Sequence, residues 1–599
     1  MPANKITFDT ERQDAKEVGA GTRPLLSPSM NRCVPPLDIE PRSSLYNPGT
    51  AEQESGRDDP ADTEKERTVS DTKNPDPNAI RPELAEVIER HRILQDEARP
   101  DAVARRRKRE QRMIRENVAD LFDPDDSIEY GGLAFAAQRR RVPIEELIRR
   151  TPADGLVAEI GSVNGDLFDR SKTRCLVIGY DYTVLAGTQG WFNHRKKDRV
   201  LELAYKWRIP TILFAEGGGG RPGDVDTMEV MVAGLDLKSF SHYAHLSGLV
   251  PIVGIVSGYC FAGNAALLGC SDVIISTKSS NIGMAGPAMI EGGGLGVYNP
   301  QEVGPMSVQS PNGVVDIIVE DDVEAVQVAK QYLSYFQGDL PDWECPDQTF
   351  LRDCIPERRR RGYDVRKVIN LLADTGSILE LRKDFGVGII TALIRIEGKP
   401  IGLVANNCLH LGGAVDADGA DKLSRFIQLC DAFDIPMLVL IDTPGFMVGP
   451  EAEKTAQVRH FCRIFNNAVN ATTPIFSVVL RKGYGLGAMA MAGGSFHNSA
   501  FIASWPTGEF GGMGLEGAVR LGFKKELDAI DDPEKREERF EELVAMHYEH
   551  GKAINMAAAL EIDDVIDPAR TRQWIMTGLC SMPEPEKRSG KKRPNVDCW

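Results

Sequence analysis

The chain has few of the features that mark membrane, nucleic-acid-binding or secreted proteins. None of its apolar stretches reaches the roughly 18 residues without a charge or break that a membrane span needs, so we expect no transmembrane helix. Its 71 Lys and Arg are outnumbered by 88 Asp and Glu, and the net charge of −17 argues against nucleic acid as a partner, because phosphate backbones attract basic surfaces. The first residues contain no apolar signal core, and we predict a cytoplasmic protein.

The sequence also lacks the motifs of the common nucleophilic, phosphate-binding and metal-dependent enzymes. It contains no G-x-S-x-G elbow, no G-x-x-x-x-G-K-S/T loop and no H-E-x-x-H pair. Its 11 Cys and 9 His show no zinc-ligand spacing, so we predict no metal site and interpret the cysteines as free thiols of a reducing compartment. Because no side-chain nucleophile or metal is indicated, we expect the chemistry to depend on backbone groups.

Composition divides the chain into segments. Residues 1–81 are rich in Pro, Ser and charged residues and poor in large apolar ones, which predicts a disordered or accessory arm. Residues 82–154 carry helical patterns such as PELAEVIERHRIL. From there on, short β-branched runs alternate with Gly-rich turns and helical stretches, as is typical of an α/β protein. We predict two domains, 155–345 and 346–585, followed by a tail, 586–599.

The division into two domains rests on an internal duplication. The first half contains IPTILFAEGGGG and then VPIVGIVSGYCFAGNAALL, and the second contains IPMLVLIDTPGF and then TPIFSVVLRKGYGLGAMAM. In each half a Pro opens a buried strand, and a Gly-containing turn closes it. Pro210 recurs as Pro436 and Pro251 as Pro474 at nearly equal offsets, which predicts two homologous domains.

The turn that ends the second strand of each repeat can present backbone donors. Gly258–Asn264 and Gly483–Gly487 each precede an apolar, helix-like run. The first N–H groups of a helix have no intrahelical acceptor and can hold an oxyanion, and small residues let a ligand carbonyl approach them. In one turn alone the glycines could equally serve close packing of helix on sheet. Two such turns in matching places favour two oxyanion holes.

Two further segments are candidates for lining a ligand. The tetraglycine Gly217–Gly220, followed by Arg221, could also be a flexible loop. The segment Gly187–Gly190 precedes a basic cluster in which Lys196 and Lys197 could reach a nucleotide phosphate. A solvated face of an amphipathic helix explains the same basic cluster equally well.

Together these motifs resemble a known family, the carboxyltransferase (β) subunits of biotin-dependent acyl-CoA carboxylases, typified by the propionyl-CoA carboxylase β chain. The resemblance runs from about Arg105 to Trp574 and is carried by DYTVLAGTQG, HRKKDRVLELA, GGGGRPGD, SGYCFAGNAALLGCSD, CDAFDIPMLVLIDTPGF, VVLRKGYGLGAMAM and SWPTGE. It implies an α/β fold of two crotonase-like (ClpP/crotonase) domains per chain. It also implies an acyl-CoA site mainly on the first domain and a biotin site mainly on the second.

Position by position, the resemblance implies which residues act. Backbone N–H groups of Ala262 and Gly263 would hold the thioester enolate, and those of Leu486 and Gly487 the ureido oxygen of biotin. Carboxybiotin would release CO2, the biotin anion would remove the acyl α-proton, and the thioester enolate would attack CO2. The residues expected to bind substrate are Gly187, Gly190, Lys196, Lys197, Gly218, Gly219, Arg221, Gly258, Tyr259, Asn264, Gly445, Phe446, Tyr484, Gly485 and Met489.

The resemblance also implies partners. The sequence has no Met-Lys-Met biotin-attachment site and no biotin carboxylase signature, so biotin is expected on a separate carrier domain or chain. Biotin carboxylase and biotin carboxyl carrier subunits are then the implied partners. The family forms homo-oligomers, commonly hexamers built as trimers of dimers, with the active site between the first domain of one subunit and the second of another.

The sequence departs from the family pattern in several places. The family has Ser-Gly-Gly-Ala-Arg where Glu216–Arg221 stand here, and the extra glycines are expected to reshape the acyl pocket. Met489 stands near the acyl pocket where the family has Asp, which leaves the acyl group open. An extra charged helix, KKELDAIDDPEKREERFEEL, precedes the C-terminal segment, and we expect it to lie solvated on the surface.

Three other functions fit parts of the pattern. A biotin-dependent acyl-CoA decarboxylase would run the reverse transfer with the same site. A biotin-independent crotonase-type enzyme needs a Glu or Asp base beside the first turn, where this chain has Asn264 and small apolar residues. A non-catalytic scaffold is disfavoured by the turns that are present in both halves.

Overall fold

The structure is a computed structural model that describes residues 80–227, 229, 232–583, 585 and 588–599. The arm predicted for residues 1–81 lies outside the described residues, except for its last two. Within the described ranges, no helix is both long enough and apolar enough to cross a bilayer.

The strands of the described residues alternate with helices along the chain, as the sequence pattern predicts. In chain order the strands are β1 Ser127–Glu129, β2 Leu156–Ser162, β3 Arg174–Tyr180, β4 Thr211–Phe214, β5 Ile252–Val256, β6 Tyr259–Phe261, β7 Val273–Thr277, β8 Asn281–Gly283, β9 Ile317–Val319, β10 Leu379–Leu381, β11 Ile389–Ile396, β12 Lys399–Asn406, β13 Met437–Thr443, β14 Ile475–Tyr484, β15 Phe501–Ser504, β16 Glu509–Gly511 and β17 Asp564–Val565.

The helices connect these strands and cover the sheets. They are α1 Pro82–Arg92, α2 Pro100–Arg107, α3 Ile114–Leu121, α4 Ile144–Arg150, α5 Trp191–Trp207, α6 Ser239–Ala244, α7 Gly263–Leu268, α8 Pro287–Gly292, α9 Met306–Gln309, α10 Asp322–Gln337, α11 Arg366–Leu372, α12 Ala417–Ala432, α13 Pro450–Glu453, α14 Gln457–Val469, α15 Gly485–Met491, α16 Leu515–Gly522, α17 Lys524–Asp528, α18 Pro533–His550, α19 Ala553–Ala558 and α20 Thr571–Cys580. Residues 82–154 therefore hold α1 to α4 as expected, together with the edge strand β1.

Two sheets share one topology. The first runs β1-β2-β3-β4-β5-β7-β9 and the second runs β10-β11-β12-β13-β14-β15-β17. In each sheet the first two pairings are antiparallel and the following ones are parallel. The short parallel pair β6–β8 has its counterpart in the pairing of β16 with the end of β14. Identical order and direction in both sheets are what the internal duplication predicts.

The central strands are buried on both faces. Strands β11 and β13 are buried along their whole length, and β3 is buried at every position except its first. Such near-continuous apolar runs are expected where helices cover both faces of a mostly parallel sheet. Helix α12 is itself buried over almost its entire length, which places it between layers of the molecule.

The two halves share a core. One apolar cluster joins Val253 and Ile275 of the first sheet to Leu393 and Val439 of the second, with Tyr332 of α10 among them. Helix α10 packs on strands of both sheets. Because the cluster crosses the predicted boundary at 345/346, that boundary stays a prediction.

The predicted tail is packed along this seam. The Val596 N–H donates to Ser247 Oγ at 3.0 Å on the first half. Arg425 of the second half donates from Nε to the Asp597 carbonyl at 2.8 Å. Residues 588–599 therefore connect the two halves by hydrogen bonds.

A buried ion pair crosses the same seam. Arg382 Nε lies 2.9 Å from Asp316 Oδ1, and both side chains are almost fully buried. The other carboxylate oxygen of Asp316 accepts the Ile274 N–H at 2.7 Å. Removing the carboxylate would leave a buried guanidinium without its partner, which costs about 3–5 kcal/mol.

We therefore expect Asp316→Ala to lower the free energy of unfolding by about 3–5 kcal/mol. Urea unfolding followed by tryptophan fluorescence and circular dichroism measures this loss. The matched control is Asp339→Ala, which breaks the half-exposed pair with Lys399 and should cost less than about 1 kcal/mol. Equal losses for both variants would contradict a structural role of the buried pair.

Candidate active site

The second turn is formed where β14 passes directly into α15. Gly485 has φ +58°, and a Cβ there would lie 2.8 Å from the Gly512 carbonyl oxygen. Leu486 and Gly487 are the second and third residues of α15, so their N–H groups belong to the helix turn that has no intrahelical acceptors. Leu486 is 62% exposed, whereas Gly487 is buried beneath the loop after β13.

The loop after β13 lies directly against this turn. A Cβ on Gly487 would lie 2.6 Å from the Gly445 Cα and 2.9 Å from the Phe446 nitrogen. The Val415 N–H donates to the Gly445 carbonyl at 3.1 Å, and the Met447 N–H donates to the Val415 carbonyl at 2.8 Å. These bonds occupy the side of the loop that faces Val415, so the Phe446 N–H is directed toward Gly487.

The first half repeats this arrangement. The Gln189 N–H donates to the Gly219 carbonyl at 2.7 Å, and the Arg221 N–H donates to the Gln189 carbonyl at 2.9 Å. The bridge between Gln189 and Gly220 is parallel, like the one between residues 415 and 446. A Cβ on Gly219 would lie 3.2 Å from the Gly263 nitrogen. Gly220 therefore corresponds to Phe446, and neither bond of the bridge uses its N–H.

Ala262 differs from the expected role. Its φ of 53° with ψ −125° is a backbone conformation that residues with a side chain rarely adopt. Its N–H donates to the Gly283 carbonyl at 3.1 Å. Of the pair predicted at this turn, Gly263, the first residue of α7, supplies the N–H that has no intrahelical acceptor. The tetraglycine Gly217–Gly220 was predicted to line a ligand, but Gly220 was not predicted as an oxyanion donor.

A buried polar network supports the first turn. Asn264 Nδ2 donates to the carbonyls of Gly187 at 3.2 Å and Glu216 at 3.0 Å. Its Oδ1 accepts from Gln189 Nε2 at 2.9 Å, and Gln189 Oε1 accepts from Lys197 Nζ at 2.9 Å. Buried polar groups that are satisfied in this way fix geometry. The network therefore joins the loops after β3 and β4 to the start of α7.

The two lysines predicted at the phosphate are buried. Lys196 donates to the Leu156 carbonyl, and Lys197 Nζ donates to the Tyr180 hydroxyl at 2.8 Å. Burial lowers the pKa of Lys196 to about 8 and the pKa of Lys197 to about 7. The structure thus gives both ammonium groups acceptors inside the protein, and it shows neither of them at the surface.

Arg221 and Gly190 form one closely packed corner. The Arg221 guanidinium is buried, pairs with Asp154 and donates to the Thr188 carbonyl at 2.9 Å. A Cβ on Gly190 would lie 2.6 Å from Asp224 Oδ2. These residues fix the tetraglycine loop in place, and among the predicted residues of this loop Gly218 is exposed.

Gly258 has φ +123° and lies against a buried carboxylate. A Cβ there would lie 2.5 Å from Glu216 Oε1. Burial raises the pKa of Glu216 to about 7, although Arg106 of α2 pairs with it at 2.7 Å. The N-terminal helices therefore contribute directly to the support of the first turn.

The predicted aromatic residues are held by hydrogen bonds. The Tyr484 hydroxyl donates to Glu509 Oε1 at 2.9 Å, and the Tyr259 hydroxyl accepts from Gln301 Nε2 at 2.7 Å. Met489, one turn beyond Gly485, is 37% exposed. It lies beside the second turn, as the resemblance implies.

Apolar side chains stand exposed near both turns. The segment after β8 exposes Met284, Met289, Leu295, Val297 and Tyr298. Around the second turn the exposed residues are Val448, Leu486, Met489 and Met513. Groups of exposed apolar residues mark surfaces that bind another molecule.

Comparison with known proteins identifies the family. A family model described as a carboxyl transferase domain matches residues 105–595. The methylmalonyl-CoA carboxyltransferase 12S subunit of Propionibacterium freudenreichii subsp. shermanii is 30% identical over 532 residues, which cover 86% of this chain and 97% of that subunit.

Two solved structures are similar over most of the chain. A single-chain, multi-domain long-chain acyl-CoA carboxylase is 56% identical, with a TM-score of 0.79. The match covers 83% of this chain and 49% of that one, so this chain spans about half of that enzyme. The transcarboxylase 12S hexamer with methylmalonyl-CoA and methylmalonic acid bound is 28% identical with a TM-score of 0.73, over 86% of this chain and 98% of that one.

These matches confirm the resemblance carried by the sequence motifs. They also confirm the predicted α/β fold with two crotonase-like domains, which the shared topology of the two sheets displays. The chain therefore belongs to the carboxyl transferase domain family, and it is a carboxyltransferase subunit of the acyl-CoA carboxylase type.

Proposed function

We propose that this carboxyltransferase moves a carboxyl group between carboxybiotin and the α-carbon of an acyl-CoA by means of backbone donors in both halves. The observation that carries the proposal is the matched geometry of the two turns. In each half a loop residue that pairs in a parallel bridge follows a glycine packed against the start of a helix: Gly220 follows Gly219 beside Ala262 and Gly263, and Phe446 follows Gly445 beside Gly487. Matched donor sets suit a reaction in which two carbonyl oxygens gain negative charge.

The first set holds the thioester. The N–H groups of Gly263 and Gly220 donate to the thioester oxygen as the α-carbon loses its proton. A prepositioned donor of this kind contributes about 2.7–4 kcal/mol to the transition state. Asn264 keeps the helix N–H in place, and its amide is already engaged by protein groups. This half therefore acts by stabilising charge and supplies no proton acceptor from Asn264.

The second set fits the ureido carbonyl of biotin. Phe446 of the loop joins Leu486 and Gly487 of the helix as a donor, and a Cβ on Gly445 would meet only the Tyr484 carbonyl at 3.6 Å, which leaves space on that side of the loop. Biotin, when bound, supplies CO2 in activated form. The donors of this chain hold the ureido oxygen and favour the charge that develops there.

The two sets come together between two copies of the chain in this proposal. The apolar residues exposed beside each turn, such as Val297 and Val448, are the surfaces that a second copy would cover. We place the acyl-CoA on the first domain of one subunit and biotin on the second domain of another, within a hexamer built as a trimer of dimers. Biotin carboxylase and biotin carboxyl carrier subunits complete the enzyme.

Free thiols among the described cysteines support a cytoplasmic location.

The direct test is carboxyl transfer from labelled carboxylated carrier protein to acetyl-, propionyl-, butyryl- and longer acyl-CoAs. Label in any acyl-CoA product supports the proposal and identifies the acyl group. The reverse reaction, with a carboxylated acyl-CoA and biotin carrier, shows whether the chain also works as a decarboxylase subunit. Absence of transfer in both directions would contradict the proposal.

The second set of donors is tested by Gly487→Ala. The added Cβ would lie 2.6 Å from the Gly445 backbone and would push the loop and the helix apart. Because loss of one oxyanion donor lowers kcat about 100- to 1000-fold, we expect a loss of this size with unchanged acyl-CoA binding. The control is Gly522→Ala, where a Cβ meets nothing within 4 Å. Full activity of the Gly487 variant would remove this turn from the mechanism.

The assembly is tested by Val297→Asp, which places a charge on an apolar residue that is 77% exposed. If a second copy covers this residue, burying the carboxylate is costly, and sedimentation should show smaller species with lower transfer activity. Val323→Asp, at a residue 41% exposed on α10, is the matched control and should keep the native mass. An unchanged oligomer in the Val297 variant would place the subunit contact elsewhere.

A further inference from the structure

A cavity of about 640 Å³ opens beside the second turn. Gly483, Gly485 and Met489 border it on the side of the turn. Most of its remaining wall is apolar and includes Phe496, Phe510, Met513, Leu515 and Met556. Its size lies within the usual range of about 300–1,000 Å³ for small-molecule sites.

One wall of the cavity comes from the extra charged segment. Most of this segment is exposed, as expected of a surface helix, but the structure divides it into α17 and α18 and buries Leu527, Phe540 and Leu543. Phe540 and Leu543 of α18 form a small apolar core with Val519 of α16 and Leu527 of α17. The last turns of α18 then bring His547 and His550 to the cavity wall.

Polar contacts hold α18 against the body of the second domain. The Tyr548 hydroxyl donates to Glu516 Oε1 at 3.1 Å. The Arg359 guanidinium lies 4.0 Å from the centre of the Tyr548 ring, a cation–π contact. Because these contacts bind α18 to α16 and to the segment before α11, the wall is a fixed part of the domain.

The lining indicates a hydrocarbon ligand. Phe510 and Leu515 pack into the buried wall, whereas His497, His550 and Glu561 are exposed at the rim. Met489 and Met513 are partly exposed apolar side chains on the same cavity. Flexible methionine side chains adapt to apolar chains of different shape. A bound phosphate or peptide carboxylate would find no Lys or Arg among the lining residues.

We propose that this cavity holds the distal hydrocarbon of the acyl group and that α16 and α18 set the accepted chain length. The inference rests on the proposed carboxyl transfer, since the acyl α-carbon held by the first turn of one subunit must meet biotin at the second turn of another, beside the mouth of the cavity. Each methylene buried here strengthens binding about fourfold, so a long acyl chain gains affinity that a short one lacks.

The test fills the cavity with Ala518→Phe. Ala518 lies half-buried on α16 and lines the cavity. The matched control is Ala529→Phe, at an exposed position between α17 and α18 that does not line it. For the full-length chain we would measure kcat/KM for propionyl-, octanoyl- and palmitoyl-CoA with carboxylated carrier protein. We expect the ratio of palmitoyl to propionyl transfer to fall at least about tenfold in Ala518→Phe and to stay at the wild-type value in the control.

The outcomes separate this inference from the proposed function. An equal loss of transfer for every acyl-CoA would show that the cavity serves biotin. Unchanged transfer for every acyl-CoA would show that the cavity holds no acyl chain. Either result overturns the inference. If the wild-type chain transfers to no acyl-CoA, the proposed function fails. The cavity is then tested by calorimetry, which measures the ratio of the affinities for palmitoyl- and propionyl-CoA in the wild-type chain and in Ala518→Phe. Met513→Gln is a second variant that removes apolar lining without adding bulk, and it should lower the same ratio.

Discussion

The contact between two backbones without side chains is the constraint on which the site depends. This contact is formed in the second half, where Gly487 touches the chain at Gly445 and Phe446; in the first half Gly219 packs against the Cβ of Ala262 and the backbone nitrogen of Gly263. Any Cβ at Gly487 would occupy the space of a neighbouring backbone atom. Glycine is therefore required at this position for packing, and in the proposed mechanism the same close approach brings the loop donor near the helix donor.

The surrounding structure holds this contact in place. In the first half Asn264, Gln189 and Lys197 form a chain of buried hydrogen bonds that no solvent molecule needs to complete. Burying a lysine is costly, as the lowered pKa of Lys197 shows, and the cost is offset because its acceptors fix the loop that carries the donors. On a larger scale, the shared apolar core and the Arg382–Asp316 pair join the two halves into one body.

Much of this could be predicted from the sequence, because duplication leaves periodic marks in it. The recurrence of Pro210 and Pro251 as Pro436 and Pro474 predicts two homologous domains. The small residues before apolar runs predict the positions of both turns. Burial of a charged residue leaves no such mark: the basic cluster at Lys196 and Lys197 looks the same whether it meets a phosphate or a carbonyl. The docking of α18 depends on Phe540 and Leu543, two apolar residues in a charged stretch, and their partners come from other helices.

The two halves have diverged in a way that suits different ligands. The first turn is braced by hydrogen bonds: the Ala262 N–H is used by Gly283, and the amide of Asn264 is fully engaged. Such a turn suits one carbonyl held in one position. The second turn is open: Leu486 and Met489 are exposed, and the cavity walled by α18 begins beside Gly485. A group that arrives on a carrier and leaves again needs an open surface. Duplication thus provided two equal donor sets, and the residues around them made one fixed and the other accessible.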